Sequence, residues 1–494
     1  MMEEDLLQTI AKAASKYSND LPYIELSFID ESLGDYSTNI ALKLAAKTKK
    51  NSRELAQLIA ADIEVAMGTI LKSVSVAGPG FINFILSDEE LMRLINAKPK
   101  LPLAGQKIVV EFSDPNPFKL LHAGHLYTSI VGNTIANLLM VSGAQVYRVN
   151  YGGDVGLHVG KAIWAMIKEL GGELPEKLTS IKRNERGSWM SNAYVLGTAA
   201  YEKDEQAKAD IIEYNKKIYA IHQNKDHTSP LAQIYWTTRQ WSYEAFDEFY
   251  QKLNIKFDKY YPESEAIPIG MEIVSKQLAA GVFEKSEGAI VFKGEDFGLH
   301  TRVFINSHGL PTYEAKELGL FQLKLRDYKY DRSIIITGNE QEQYMKVVLK
   351  ALEQFVPELA AKSEYLGHGM VRLTGGKKMS SRLGNILTAE DVIVSAEKAA
   401  KEVSGKKDEK VVLAAIKYSM LKQRMGGDII YDPVESVSVI GNSGPYLQYS
   451  YARAKSIMAK IDKINKIDGD ISFEAGERLL VTGSTAIITG LMII

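Results

Sequence analysis

The sequence predicts an α/β protein with a doubly wound parallel sheet, an α+β domain before it and a helical, shortened segment after it. Three observations lead there. Ile108-Val109-Val110-Glu111-Phe112 is a short apolar run of the kind that a strand buried on both faces needs. A proline-containing loop (113–121), a helical stretch (124–140) and a second strand-like run (145–149) follow, the β-loop-α-β unit that opens such a sheet. Directly after the second run stands Asn150-Tyr151-Gly152-Gly153-Asp154, beyond the carboxyl end of a strand, where ligands bind in these sheets.

The other elements follow in order. Residues 51–67 read as an amphipathic helix, with Leu55, Leu58, Ile59, Ile63 and Met67 at helical spacing and Asn51 and Glu54 at capping-box spacing. Val74–Val76 and Phe81–Ile85 read as short strands around Gly78-Pro79-Gly80, and 98–105, with two prolines, as a linker. Residues 161–252 are polar and helical in texture, an insertion in the nucleotide fold. Residues 289–292 and 301–306 predict a strand pair, 333–337 a buried strand, 408–421 a helix with Asp408 as N-cap, and 446–464 another helix. The expected domains are 1–97, 105–372 with the insertion near 161–252, 373–435, and 436–494.

Length and composition exclude little. With 494 residues the chain is long enough for roughly two to four domains, and 46% hydrophobic residues suffice for a core. A formal charge of −2 neither implies nor rules out a nucleic-acid partner, which needs only a local basic face. The absence of cysteine excludes disulfides, thiolate chemistry and Cys-ligated zinc. Residues 1–16 have no signal-type apolar core. The apolar tail 479–494 has 16 residues, fewer than the roughly 20 that span a bilayer. The expectation is a cytoplasmic protein.

Two motifs carry chemistry. In Pro117-Phe118-Lys119-Leu120-Leu121-His122-Ala123-Gly124-His125, two imidazoles stand three residues apart at a helix start. Free N–H groups and the helix dipole suit polyphosphate there, each imidazole adds a donor, Lys119 adds charge, and Gly124 leaves room for a base near the backbone. Two incidental histidines, or a metal site lacking a third ligand, are the competing readings. The second motif is Gly375-Gly376-Lys377-Lys378-Met379-Ser380-Ser381-Arg382-Leu383-Gly384-Asn385, a glycine-flanked basic loop able to neutralise a leaving pyrophosphate. Its bland alternative is a solvated basic turn.

Together the motifs resemble the HIGH and KMSKS signatures of class I aminoacyl-tRNA synthetases, which have a Rossmann-type catalytic domain; here they read HAGH and KMSSR. Their surroundings resemble the arginyl-tRNA synthetases. Glu111-Phe112-Ser113-Asp114-Pro115-Asn116 looks like the approach to HIGH in that family, and Asn150–Gly156 like the segment after its second strand. Gly34-Asp35-Tyr36-Ser37-Thr38-Asn39 resembles its N-terminal tRNA-contacting domain, and Gly444-Pro445-Tyr446-Leu447-Gln448-Tyr449 with Arg453 the entry to its helical anticodon-binding domain.

The resemblance implies ATP-dependent activation of L-arginine and transfer to arginine-accepting tRNA, with ATP and Mg²⁺ required, no metal site of the protein's own, and a monomer. It implies that Lys119, His122, His125, Lys378 and Arg382 stabilise phosphoryl charge, and that His122, Gly124, His125, Lys378, Met379 and Ser380 bind ATP. Arginine would be held by Glu111, Asn116, Glu263, Tyr313, Glu317 and Gln341, and tRNA by Asp35, Asn39, Tyr446, Gln448, Tyr449 and Arg453. There are two departures: Glu317 stands where the family usually has Asp, and only about 50 residues follow Gly444, too few for the usual helical bundle. Another class I synthetase, a free-standing nucleotidyltransferase and a catalytically poor tRNA- or protein-binding paralogue are the alternatives. Arginine-dependent pyrophosphate exchange separates them.

Overall fold

The computed structural model describes residues 2–29, 33–97, 101–373, 387–405, 408–460, 472–474 and 476–482. The chain forms two compact units: Met1–Pro102 with the described part of Ile461–Ile494, and Leu103–Lys460.

In the first unit, helix α1 (Met2–Ser15) precedes strands β1 (Ser27–Phe28) and β2 (Tyr36–Thr38), helices α2 (Ile40–Thr48) and α3 (Ser52–Met67), strands β3 (Leu71–Ala77) and β4 (Phe81–Leu86), and helix α4 (Asp88–Asn96). The strands pair antiparallel in the order β1-β2-β4-β3. Leu6, Ile10, Leu55, Ile59, Ile63 and Phe84 meet in one core. Leu58, counted in the apolar spacing of α3, is 54% exposed; the buried stripe is Leu55, Ala56, Ile59, Ala60, Ile63 and Met67. Asn51 caps α3, its Oδ1 accepting from the Arg53 and Glu54 amides at 2.9 and 3.2 Å. Asn51→Ala should lower the unit's stability by about 1 kcal/mol, readable in urea unfolding.

The segment 436–494, expected to be one domain, divides between the units. Residues 476–482 are helical and belong to the first unit. There the Arg478 guanidinium donates to both carboxylate oxygens of Asp35 (3.1 and 2.7 Å), to Asp88 (2.7 Å) and to the Leu86 carbonyl (2.5 Å). Asp35 also accepts from the Leu86 amide at 2.7 Å and is 7% exposed. The side chain of Asp35, expected among the tRNA contacts, is thus committed to internal bonds.

The second unit is built on five parallel strands: β5 (Lys107–Glu111), β6 (Gln145–Gly152), β7 (Lys259–Pro262), β11 (Arg332–Gly338) and β12 (Ser363–His368). Between β7 and β11 lie β8 (Glu284–Ser286), β9 (Ala289–Phe292) and β10 (Arg302–Ile305), which form a separate antiparallel sheet. The main order is β12-β11-β5-β6-β7, so the chain adds strands on one side of β5 and then on the other. The reversal falls between β5 and β11, and in such sheets the crevice opens there, at the carboxyl ends.

Helix α5 (Ala123–Val141) joins β5 to β6. The expected insertion is a helical layer of α6 (Leu157–Leu170), α7 (Arg186–Lys203), α8 (Glu205–Asn224) and α9 (Pro230–Lys252) around its own core of Val159, Ile163, Ile218 and Tyr235. α10 (Glu263–Ala279) follows β7, α11 (Tyr313–Tyr328) precedes β11, and α12 (Glu342–Glu353) and α13 (Pro357–Ala361) precede β12. Strand β5 alternates between two cores: Ile108 and Val110, with Phe112 just after the strand, join one, and Val109 the other. Strand β13 (Val371–Leu373) pairs in parallel with β14 (Ile429–Tyr431). Around them stand α14 (Ala389–Ser404), α15 (Glu409–Leu421, capped by Asp408 as expected), α16 (Pro433–Ser436) and α17 (Gly444–Met458). α17 begins two residues before, and ends six before, the bounds expected for it. It buries only Gly444 and Pro445, leaving Tyr446, Leu447 and Tyr449 exposed.

Candidate active site

A cavity of about 600 Å³ opens at the reversal point, within the roughly 300–1,000 Å³ usual for small-molecule sites. Its wall includes Glu111, Asp114, Asn116, His122, Gly124, His125, Glu263, Tyr313, Glu317 and Gln341. The structure thus brings together every residue expected to hold arginine and the two histidines.

The loop from β5 to α5 is bent sharply. Ser113, Asp114 and Phe118 have φ of 78°, 47° and 67°, a left-handed conformation costly for residues with a Cβ. Buried bonds hold it: Ser113 Oγ lies 2.8 Å from the Tyr250 hydroxyl, Asp114 Oδ1 accepts from the Tyr151 amide at 2.8 Å, and the Phe118 amide donates to Ser242 Oγ at 3.0 Å. The bend turns the start of α5 toward the carboxyl ends of the strands.

At that start the two histidines cap each other. His122 Nδ1 accepts from the His125 amide (3.3 Å) and His125 Nδ1 from the His122 amide (3.1 Å), with the rings stacked 3.7 Å apart. Both Nδ1 atoms are acceptors, so in the neutral rings both protons sit on Nε2. Burial, with Lys119 nearby, lowers His122 to about 4, and burial beside His122 pushes His125 well below its ordinary value. At neutral pH the pair offers two N–H donors rather than cations. A Cβ at position 124 would come 2.8 Å from the His122 ring, so glycine is needed there for the capping imidazole itself.

Lys119 is not part of the cavity wall; its ammonium lies 4.1 Å from the centre of the Tyr194 ring. Residues 374–386, and with them the expected roles of Lys378, Met379, Ser380 and Arg382, lie outside the described residues. Their neighbour Leu387 lines the cavity and is tied to the histidine motif: the Ala123 amide donates to the Leu387 carbonyl and the Ala389 amide to the Leu121 carbonyl, both at 2.9 Å.

The acid end of the cavity has an internal charge balance. Glu263 is paired with Lys316 and Glu111 with Lys324, each at 2.5 Å and nearly fully buried. Glu317 forms no ion pair among the described residues, and its Oε2 is buried without a hydrogen-bond partner. Burial, with Glu111 adding to it, raises Glu317 to about 8. Burial and Glu111 also hold Asp114 well above the usual carboxylate range. Asn116 Oδ1 accepts from the Gly153 amide at 3.0 Å, and a Cβ on Gly153 would sit 2.4 Å from that oxygen. Tyr313, 53% exposed, and Gln341 stand at the rim.

Lys316, Lys324, Tyr344, Tyr151 and His368 are the residues that reading the sequence missed. Glu111 and Lys324 are 213 positions apart, so no local spacing could signal them. His368 reaches Thr128 from the end of β12, Nε2 to Oγ1 at 2.5 Å.

A parallel sheet with an HxGH helix start at its reversal point and an acid-rich cavity beside it defines the nucleotide-binding core of a class I aminoacyl-tRNA synthetase. Residues 90–436 match the family described as tRNA synthetases class I (R), catalytic domain, and 1–86 the arginyl tRNA synthetase N terminal domain. The chain belongs to the arginyl-tRNA synthetase family. An arginine--tRNA ligase of Treponema denticola is 33% identical over 373 residues, covering 73% of this chain and 62% of its own length. That of Bacteroides fragilis is 28% identical over 507 residues, covering 93% and 82%. The chain therefore spans less than two thirds of the treponemal relative. Solved arginyl-tRNA synthetases of Thermus thermophilus (TM-score 0.76, 22% identity, 100% of this chain and 88% of that one) and Plasmodium falciparum (0.77, 20%, 99% and 87%) share the fold.

Proposed function

We propose that the chain is an arginine--tRNA ligase: it activates L-arginine with ATP and passes it to the 3′ end of arginine-accepting tRNA. The observation that carries this reading is the cavity itself, five carboxyl side chains of which two are paired with lysines, beside two neutral imidazole donors. A guanidinium is the cation that matches it, a planar fork of five N–H donors that cannot lose its charge. Glu317 and Glu263 take the guanidinium, Tyr313 covers it, and Asn116 and Gln341 orient the amino-acid end.

One arginine carboxylate oxygen attacks the α-phosphorus of ATP in line; the bond to the bridging oxygen breaks and pyrophosphate leaves. The terminal ribose hydroxyl of tRNA then attacks the carbonyl carbon of the adenylate, and AMP leaves. The protein's part is positioning and charge stabilisation. His122 and His125 donate Nε2–H to phosphate oxygens, and Lys378, Arg382 and Lys119 supply positive charge. Mg²⁺ would enter bound to the ATP phosphates and offset part of their charge. Asn39, Tyr446, Gln448, Tyr449 and Arg453 are the proposed tRNA contacts. Gln448 and Arg453 are exposed, with Gln448 bonded to the Lys410 carbonyl at 3.1 Å.

Arginine-dependent ATP–pyrophosphate exchange in the presence of tRNA tests the reading, with His125→Ala and Lys378→Ala as the critical variants. Both should lose exchange; undiminished activity in both would sink the assigned roles. Binding should also depend on pH. The guanidinium needs the Glu317 carboxylate, which is protonated in the free site below about 8. Arginine binding then expels a proton, and affinity climbs with pH by up to about tenfold per unit before levelling above pH 8. Calorimetry in buffers of different ionisation heat checks both the slope and the released proton.

A further inference from the structure

Lys316 and Lys324 both stand on α11, and each ends on one carboxylate of the cavity. Lys324 is 0% exposed and its partner Glu111, on β5, is 2% exposed. Lys324 therefore cannot contact a substrate; it acts only through the groups it touches. Glu317 shares the wall of one cavity with Glu111 on β5, Asp114 in the following loop, Tyr151 on β6, Glu263 at the start of α10 and Tyr344 on α12. Against them, Lys324 is the cation bearing on both Glu317 and Asp114.

We propose that Lys324 is a positioning residue for amino-acid selection: it anchors Glu111 and balances the acids around Glu317, leaving a deficit of positive charge that one guanidinium fills. The proposal rests on reading the cavity as an arginine site. A buried lysine that serves packing alone is replaceable by an apolar chain of similar volume. One that sets charge is replaceable only by another cation. Without it, Glu111, Asp114 and Glu317 crowd together uncompensated, and like charges in a buried site push each other toward the protonated form. With Glu111 neutralised instead, the freed ammonium favours the ionised form of Glu317.

The test is calorimetric arginine titration of the full chain from pH 6 to 9.5, in the wild type and in Lys324→Met, Lys324→Arg and Glu111→Gln. The wild-type affinity should have its midpoint near pH 8. Lys324→Met should move the midpoint upward by about one pH unit and weaken binding about tenfold at pH 7. Lys324→Arg should leave the midpoint in place, and Glu111→Gln should move it downward. An unmoved midpoint in Lys324→Met, or movement in the same direction in Lys324→Met and Glu111→Gln, overturns the proposal. Should Lys324→Met fail to fold, Glu111→Gln decides: a downward shift supports the proposal and an unmoved midpoint overturns it. A wild type that binds no arginine at any pH refutes the cavity's assignment, a failure distinct from that of Lys324.

Discussion

Glu317→Gln should raise the KM for arginine by roughly 30- to 1,000-fold, with kcat for pyrophosphate exchange much less affected. Glutamine keeps the length and one acceptor oxygen but removes the charge that a buried guanidinium needs, a loss of about 2–4 kcal/mol. Because Glu317 is assigned to the guanidinium and not to the reacting carboxylate or the phosphates, the loss is in ground-state and transition-state binding alike, which appears in KM. Stability should move the other way. Glu317 is raised to about 8 in the fold, while the unfolded chain ionises it near 4.3. Between those values the folded state holds the extra proton, so wild-type stability falls as pH rises. Glutamine removes that dependence. Weaker binding with a flatter stability–pH curve is the signature of a buried carboxylate kept for its ligand, and comparison of urea midpoints at pH 6 and 8.5 reads it.

His125→Ala should lower kcat for exchange by about 10²–10³-fold, the usual loss when one preorganised donor to a developing oxyanion is removed. It should also cost about 1 kcal/mol of stability, because the His122 amide loses its Nδ1 acceptor. His125→Asn separates the two effects. Its side-chain oxygen still caps the helix, so stability returns, while the donor is shortened away from the phosphate and kcat stays low. The kcat–pH profile should be flat above about pH 5, since His122 is lowered to about 4 and His125 well below its ordinary value. A loss of activity with midpoint near 6.5 would mean that a charged imidazole does the work.

Much of this site was legible in the chain because its parts are local. The apolar run at 108–112, the histidines three residues apart and the glycines at 152–153 each mark a strand end or a helix start, and the sheet gathers such ends at one edge. Asn51 and Asp408 were readable as caps for the same reason. What was not legible depends on distance in sequence. The pairing of Glu111 with Lys324, and of Glu263 with Lys316, neutralises two acids that read as free charges. Glu317 then stands apart from them, although nothing in its neighbourhood in the sequence distinguishes it. Asp35 is the opposite case: an acid in a motif resembling a tRNA-contacting segment is taken up by Arg478, 443 residues away. Leu58 fits the helical spacing of α3 yet faces solvent, because the buried stripe extends to the other flank of the helix, through Ala56 and Ala60.

The central claim is that the acid cavity beside His122 and His125 selects a guanidinium for ATP-dependent activation. Pyrophosphate exchange with arginine and with citrulline, in the presence of arginine-accepting tRNA at pH 8.5, tests it most directly, because the two amino acids differ by one charged nitrogen replaced with oxygen. Exchange with arginine and a kcat/KM lower by roughly 10³-fold or more with citrulline is the predicted result. Comparable exchange with both, or exchange driven by an uncharged amino acid in preference to arginine, would contradict it.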